Sequence, residues 1–165
     1  MPTIRELRII DVEGIYSWMN DPEVINAFTP GKFPISKDAI ELFIKNSWAD
    51  RENVHLAIVD DDDKYAGTVS LKNIDFINKN AEYAIVIHKN YWRKGYSKFG
   101  TDQIVDYGFR KIKLNKIYLN VLSSNWRGIE FYEKYGFERE GVFREHIYVK
   151  GQPVDLIWYC LFNRL

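Results

Sequence analysis

The sequence predicts an α/β (α+β) fold, a mixed and mostly antiparallel central sheet flanked by helices. Three features carry this prediction. Hairpin patterns in the middle of the chain and at its tail supply antiparallel strand pairs. One strand–helix–strand passage lies between them. Helical periods of apolar residues precede both. The 165 residues are the size of one domain, since domains cluster at about 100–150 residues. Residues 1–165 read as one unit without linker, repeat or low-complexity segment.

The elements follow in order. Residues 4–7 read as a short strand. A helix starts after Asp11, a good N-cap residue type, and carries Ile15, Trp18 and Met19 on one face. Asp21-Pro22 ends it, because the residue before a proline is steered away from helix. Residues 23–35 hold Pro30, Gly31 and Pro34 and read as a second short helix plus loop. Ser36 caps a clearer helix, with Ile35 and Ile40 placed as a hydrophobic staple and Ile40, Phe43 and Ile44 as its buried stripe. Strands follow over 55–59, 65–73 and 81–88. Between the first two stands Asp60-Asp61-Asp62-Asp63-Lys64, read as a solvated hairpin turn, since the run lacks the spacing of a calcium loop. A basic loop around Gly95 leads into a helix over 97–111, with Ile104, Gly108, Phe109 and Ile112 at helical spacing. Ile117, Leu119 and Val121 alternate as a strand. A helix over 127–135 stops at Gly136, a natural residue just past a helix end. Two long strands over 137–162 turn at Lys150-Gly151-Gln152-Pro153.

Composition narrows the function. Lys plus Arg and Asp plus Glu are both 23, so the net charge is zero and strong nucleic-acid affinity, which rests on phosphate neutralisation, is not expected. The single cysteine, Cys160, forms neither an intrachain disulfide nor a multi-cysteine metal site and reads as core. No metal site is expected. No apolar run reaches the length of a membrane span. Residues 1–11 lack the apolar segment of a secretion signal, and the expected compartment is the cytosol.

The segment from Ile85 to Lys98 runs strand, basic glycine loop, helix start. A helix N-terminus offers unpaired N–H groups and partial positive charge to a phosphate. Gly95 lets a ligand approach the backbone, and Arg93, Lys94 and Lys98 surround it with positive charge. The segment is neither a P-loop nor a dinucleotide fingerprint. A second segment, Asn125 to Phe137, follows the strand over 117–122.

Together the two segments resemble the GNAT superfamily of N-acetyltransferases. Its first signature, Gln/Arg-x-x-Gly-x-Gly/Ala, falls on Trp92-Arg93-Lys94-Gly95-Tyr96-Ser97; Gly95 matches, while Trp92 and Ser97 depart from the pattern. The second and more specific signature is matched by Asn125, Gly128, Phe131, Tyr132, Lys134, Gly136 and Phe137. The string Trp18-Met19-Asn20-Asp21-Pro22-Glu23-Val24 resembles the branch of ribosomal-protein N-terminal and spermidine acetyltransferases. Order and spacing agree over essentially the whole chain.

The resemblance implies a splayed sheet whose opening holds acetyl-CoA as co-substrate. It implies backbone N–H groups of Arg93, Lys94, Gly95, Tyr96, Ser97 and Lys98 on the pyrophosphate, and the strand edge at Ile85, Val86 and Ile87 pairing with the pantetheine arm. It places Asn125 on that arm. Arg127 reads first as a solvated helix-surface arginine, with a phosphate partner as what the resemblance allows. A backbone N–H of Val86 or Ile87 is implied for the developing oxyanion. Tyr132 stands at the family's general-acid position; its spacing beside Ile129 and Tyr135 alone would make it a core aromatic. Glu82 is the leading candidate base, with an ion-paired strand carboxylate as the equal alternative reading, and His88 is the next candidate. His55 and His146 have no partner legible in the sequence. The implied reaction is direct transfer of acetyl to a primary amine: a protein N-terminus, a polyamine or an amino sugar. Trp18, Asp21, Glu23, Phe28, Glu145, Tyr148 and Asp155 are candidates for the acceptor side. A non-catalytic module that senses acyl-CoA on the same fold is the alternative. An unpaired edge of the tail hairpin is compatible with a homodimer.

Overall fold

The structure is a computed structural model that describes residues 1–30 and 35–164. Gly31 and Pro34, expected in a loop, lie outside the described residues. The chain starts with β1 (Thr3–Glu6). A short turn of tighter helix, Ile9–Asp11, leads into α1 (Val12–Met19). Asp11 does not cap α1 with its side chain, which corrects the sequence expectation. Its carboxylate turns back to accept two hydrogen bonds from the Arg5 guanidinium, at 2.8 and 2.9 Å, and one from the Arg8 backbone N–H. Asp11 is 1% exposed, and a buried charge takes the partner that best neutralises it.

Asp21 caps α2 (Pro22–Ile25) by accepting from the Glu23 N–H, with proline at the first helical position. Ser36 caps α3 (Lys37–Ser47) by accepting from the Ala39 N–H. Ile40 and Ile44 are fully buried, but Phe43 is half exposed and lays its ring edge-on to His55, centroids 4.7 Å apart. The predicted apolar stripe therefore splits into two core positions and one cavity position.

Strands β2 (Val54–Val59), β3 (Tyr65–Asp75) and β4 (Asn80–Ile87) form an antiparallel meander. In the aspartate run, Asp60 accepts from the Asp62 and Lys64 N–H groups and from the Tyr91 hydroxyl. Asp63 takes up the Arg5 and Arg8 guanidiniums. These carboxylates close and anchor the turn. Helix α4 (Tyr96–Asp106) continues into a wider π turn over Tyr107–Lys111, a refinement the spacing of Ile104 and Ile112 did not reveal. Strand β5 (Lys116–Leu122), α5 (Trp126–Tyr135), β6 (Glu138–Val149) and β7 (Gln152–Phe162) complete the order. Lys150 and Gly151, both at positive φ, make the tight turn between the last two strands.

The seven strands among the described residues form one open sheet in the order β1-β2-β3-β4-β5-β7-β6. Helices α4 and α5 cover one face, over Ile58, Val69, Leu71, Tyr83, Ile104, Ile117, Leu119 and Tyr159. Helices α1, α2 and α3 cover the other, with Leu7, Ile15, Trp18, Ile40 and Ile44 against Ala57 and Val59. Each fully buried Ile or Leu contributes about 1.5–3 kcal/mol, so both layers are firmly held to the sheet. No described helix is long and apolar enough to cross a membrane.

The junction of β4 and β5 positions everything that follows. It is the sheet's parallel pair, and it is short: Asn80, Ala81 and Glu82 oppose Lys116, Ile117 and Tyr118. Beyond that the two strands part. Strand β5 stays with β7 through Leu122, and β4 stays with β3 through Ile87. The sheet thus opens as a V between Tyr83–Ile87 and the end of β5.

Candidate active site

Which backbone groups face the V follows from strand alternation. The His88 N–H donates to the Ala66 carbonyl at 2.8 Å, and the β3–β4 register is unbroken from Gly67–Ile87 to Lys72–Glu82. In an antiparallel pair alternate residues turn both backbone groups to the same neighbour. Ala84 and Val86 therefore turn to β3, and Tyr83, Ile85 and Ile87 turn to the gap. The Ile87 carbonyl already accepts the Trp92 indole N–H at 2.8 Å. Of the two strand positions implied for an oxyanion, Ile87 has its N–H on the gap side and Val86 does not.

Two cavities meet in the V. The first, about 450 Å³, lies between the sheet and α1–α3. Trp18, Phe28, Ile35 and Phe43 wall it, and His55, Ser70, Lys72, Glu82 and Asn120 supply a polar side. The second, about 270 Å³, reaches toward the starts of α4 and α5 and includes Arg93, Ser97, Asn125 and Arg127. Ile85, Val86, Asn125 and Tyr132 border both. A ligand lying through the second cavity thus meets one lying in the first beside Tyr132.

The second cavity lies beside backbone N–H groups and cationic side chains. Arg93 and Gly95 adopt left-handed backbone, φ 61° and 84°, and such a bend turns successive N–H groups to one side. The first N–H accepted within α4 belongs to Phe99, whose partner is the Gly95 carbonyl. The N–H groups of Tyr96, Ser97 and Lys98 precede it at the positive end of the helix dipole. No heavy atom lies within 4 Å of where a Cβ on Gly95 would stand, so the backbone is open there. The Arg127 guanidinium lies over the Trp92 and Trp126 rings, 5.8 and 5.3 Å from their centroids. These donors and cations fit the pyrophosphate of acetyl-CoA, and the gap-facing groups of Ile85 fit an amide-bearing arm.

Not every predicted residue gathers here. Lys98 pairs with Asp102 one turn along α4. Lys94 lies over the Tyr91 ring, and the Tyr96 ring meets Tyr91 edge-on. The side chains of these three do not border either cavity. Asn125 has a local task as well, since its Oδ1 accepts the Gly128 N–H and caps α5.

Tyr132 is held by its ring. It meets Tyr83 edge-on at 5.9 Å and contacts Phe131, Phe137 and Tyr159. Helix α5 is fixed on both sides, with the Tyr159 hydroxyl donating to Glu133 and the Tyr135 hydroxyl to Asp102. It ends where the Phe137 N–H reaches the Tyr132 carbonyl and Gly136 takes φ 114°. The Tyr132 hydroxyl has no hydrogen-bond partner among the described residues. Burial pushes its pKa up to about 12, because the ionised form would be poorly solvated.

On the other side of the V, Glu82 accepts hydrogen bonds from Lys72, Asn73 and Asn120 at 3.2–3.3 Å. Glu82 is thus ion-paired, as one of its two readings expected, and it also borders the first cavity. His55 is the residue the sequence did not offer. Its Nδ1 bonds the Ser70 hydroxyl at 2.7 Å across the β2–β3 pair, and its Nε2 has no hydrogen-bond partner among the described residues. Burial, foremost, lowers its pKa. Counting back from the aspartate turn at Val59 and Tyr65 sets Val69 opposite His55, and the register shift at Ile58/Val59 moves the partner to Ser70.

His88 contacts the Ser17 hydroxyl and accepts the Asn90 N–H, away from both cavities. Glu23 borders the second cavity. Asp21 is bound to Lys89. Asp155 accepts the Glu145 N–H, which shapes a bulge in the tail hairpin, and neither residue borders the cavities. Tyr148 is exposed.

Residues 3–138 match the family described as Acetyltransferase (GNAT) domain. An uncharacterised N-acetyltransferase of Bacillus licheniformis is 27% identical over 98% of this chain and 93% of its own. A spermidine N(1)-acetyltransferase of Escherichia coli is 34% identical over 64% of this chain, which is 57% of that enzyme. The crystal structure of a spermidine N-acetyltransferase from Vibrio cholerae, in complex with CoA and spermine, superimposes with a TM-score of 0.89 at 25% identity, covering 98% of this chain and 95% of that one. This chain belongs to the GNAT acetyltransferase family and is an acetyl-CoA-dependent N-acyltransferase.

Proposed function

We propose that this protein acetylates a small primary amine held in the first cavity, with Tyr132 as general acid. The observation that carries the proposal is the meeting of the two cavities at Tyr132, between strands that have parted. Bound acetyl-CoA supplies an acetyl group activated as a thioester. The Arg93–Lys98 backbone and the Arg127 guanidinium hold its phosphates. Ile85 and Ile87 offer backbone groups in the gap, and the Ile87 N–H meets the charge that builds on the carbonyl oxygen. Asn125 borders the arm.

The amine attacks as the free base, so its ammonium form must first lose a proton. Glu82 is the proposed acceptor of that proton, directly or through water. His55, kept neutral by burial, is the second candidate in the same cavity. Once the C–N bond forms, the C–S bond breaks, the departing sulfur takes a hydrogen bond from Tyr132, and the second proton that the nitrogen sheds passes through that hydroxyl to the thiolate, so Tyr132 ends protonated.

Relatives named for spermidine support a polyamine as one acceptor class to test, and a peptide N-terminus is another. The free edge of β6 is where a second copy would add, which sedimentation measures. The cytosol is the proposed compartment, checked by fractionation. The deciding experiment is thiol release from acetyl-CoA over a panel of primary amines, with wild type beside Tyr132→Phe. Turnover that drops in the variant supports the proposal. Turnover equal in both removes Tyr132 from the chemistry. Binding of acetyl-CoA without turnover on any amine would favour the sensing module.

A further inference from the structure

The first cavity carries a selective charge pattern. Among the described residues, its formally charged lining is Lys72 and Glu82 alone. These two lie side by side across the β3–β4 pair, Nζ to Oε1 3.3 Å apart. Their charges cancel, and Asn73 and Asn120 take up further capacity of the carboxylate. The acidic residues that the sequence offered for this side stand elsewhere: Asp21 on Lys89, Asp155 and Glu145 in the tail bulge, and Glu23 at the other cavity. The undescribed residues 31–34 contain no carboxylate.

A polyamine carries several ammonium groups at neutral pH. Each one that enters a partly dry cavity without a carboxylate loses hydration and gains nothing in return. Lys72 repels every one of them. The rest of the lining asks for the opposite ligand: Ile15, Trp18, Met19, Phe28, Ile35 and Phe43 form an apolar and aromatic wall. A cavity of about 450 Å³ falls in the ordinary range for a small organic ligand.

We infer that the preferred acceptor is a monoamine on an apolar or aromatic body, not a polyamine. The inference rests on the acetyltransferase reading above and names its substrate class. The body lies against Trp18, Phe28 and Phe43, and the one amine points past Glu82 toward Tyr132.

The test is kcat/KM with 2-phenylethylamine and with spermidine at saturating acetyl-CoA, alongside calorimetric binding of acetyl-CoA alone. The expected result is a preference for 2-phenylethylamine of about tenfold or more, the effect of a single uncompensated charge. In Lys72→Met, where Glu82 is released, the ratio of the two values moves toward spermidine by about tenfold. Equal or better turnover of spermidine by wild type overturns the inference. So does failure to turn over 2-phenylethylamine while acetyl-CoA binds, and turnover of another primary amine then leaves the acetyltransferase reading standing. Absence of acetyl-CoA binding removes both.

Discussion

Replacing Tyr132 by Phe takes away one oxygen and leaves the ring that Tyr83, Phe137 and Tyr159 hold. The hydroxyl has no hydrogen-bond partner among the described residues, so its loss leaves no orphaned group behind. Stability should stay within about 0.5 kcal/mol, or about 1–2 °C in Tm for a chain of this size. The rate is a different matter. With its pKa pushed up to about 12, the phenol is protonated at neutral pH in all but about one molecule in 10⁵. It is always able to donate. Yet a free thiol has a pKa of about 8.5, so full transfer from this phenol to a free thiolate runs uphill by about 3.5 pKa units, or about 5 kcal/mol. Tyr132 therefore works mainly by a hydrogen bond that strengthens as the C–S bond breaks. That places the loss near the lower end of general-acid effects, about 10²-fold in kcat, or about 2.7 kcal/mol of barrier. The assay is thiol release at saturating acetyl-CoA and amine, with thermal unfolding of the same preparations. A kcat within about threefold of wild type would refute the acid role. A Tm lower by more than about 5 °C would refute the claim that the hydroxyl serves chemistry alone.

Three other perturbations address the scaffold and the cavities. Asp11→Ala leaves the Arg5 guanidinium, only 12% exposed at the side chain, with Asp63 and the Glu6 carbonyl as its remaining partners; the expected loss is about 3 kcal/mol, at the low end for a broken buried pair, read by denaturant unfolding. Gly95→Ala meets no atom within 4 Å but must hold φ 84°, at a cost of about 1–2 kcal/mol; acetyl-CoA should bind about tenfold more weakly by calorimetry, with the fold retained. His55→Gln tests burial of a neutral imidazole. The folded pKa lies below the unfolded value of about 6.5, so the unfolded chain binds the extra proton. Wild type then has its full His55 contribution above pH of about 6.5 and loses it as pH falls through the folded pKa. The variant should lack that part of the acid loss in Tm, and a parallel acid slope in both proteins would count against a buried neutral His55.

Much of this architecture is written locally in the sequence. Asp21-Pro22, Ser36 and Gly136 mark helix ends with side chains or backbone angles that act within a few residues, and each works as expected. The two signature segments are likewise local, and they led to the helix starts and to Tyr132. What stayed hidden depends on partners distant in sequence. Asp11 looks like a cap until Arg5 folds back onto it, and a bidentate charged contact outcompetes a neutral N–H. Phe43 has the spacing of a core residue, but the surface beneath it belongs to a cavity and to His55. The His55–Ser70 contact needs the β2–β3 register, which an irregularity shifts. The charge balance of the first cavity needs to be seen whole, because the acidic candidates stand at Lys89, at the second cavity and in the tail bulge, all outside it.

The V itself follows from where β4 spends its outward hydrogen bonds. At its start, the Lys79 carbonyl accepts from both Asn115 and Lys116, which pins β5 alongside. At its end, the outward carbonyl of Ile87 goes to the Trp92 indole, so β5 finds no acceptor there. Antiparallel partners on the far sides draw β4 toward β3 and β5 toward β7, and the sheet's right-handed twist widens the angle. The same Trp92 sits beneath the Arg127 guanidinium and borders the second cavity. One indole thus joins three tasks: it closes an outward β4 carbonyl, it fixes the glycine loop to the strand, and it supports the cation on α5. Its place in the first signature is where the family pattern has Gln or Arg, and a bulky aromatic donor fits that place because it reaches back to Ile87 while offering Arg127 a flat face.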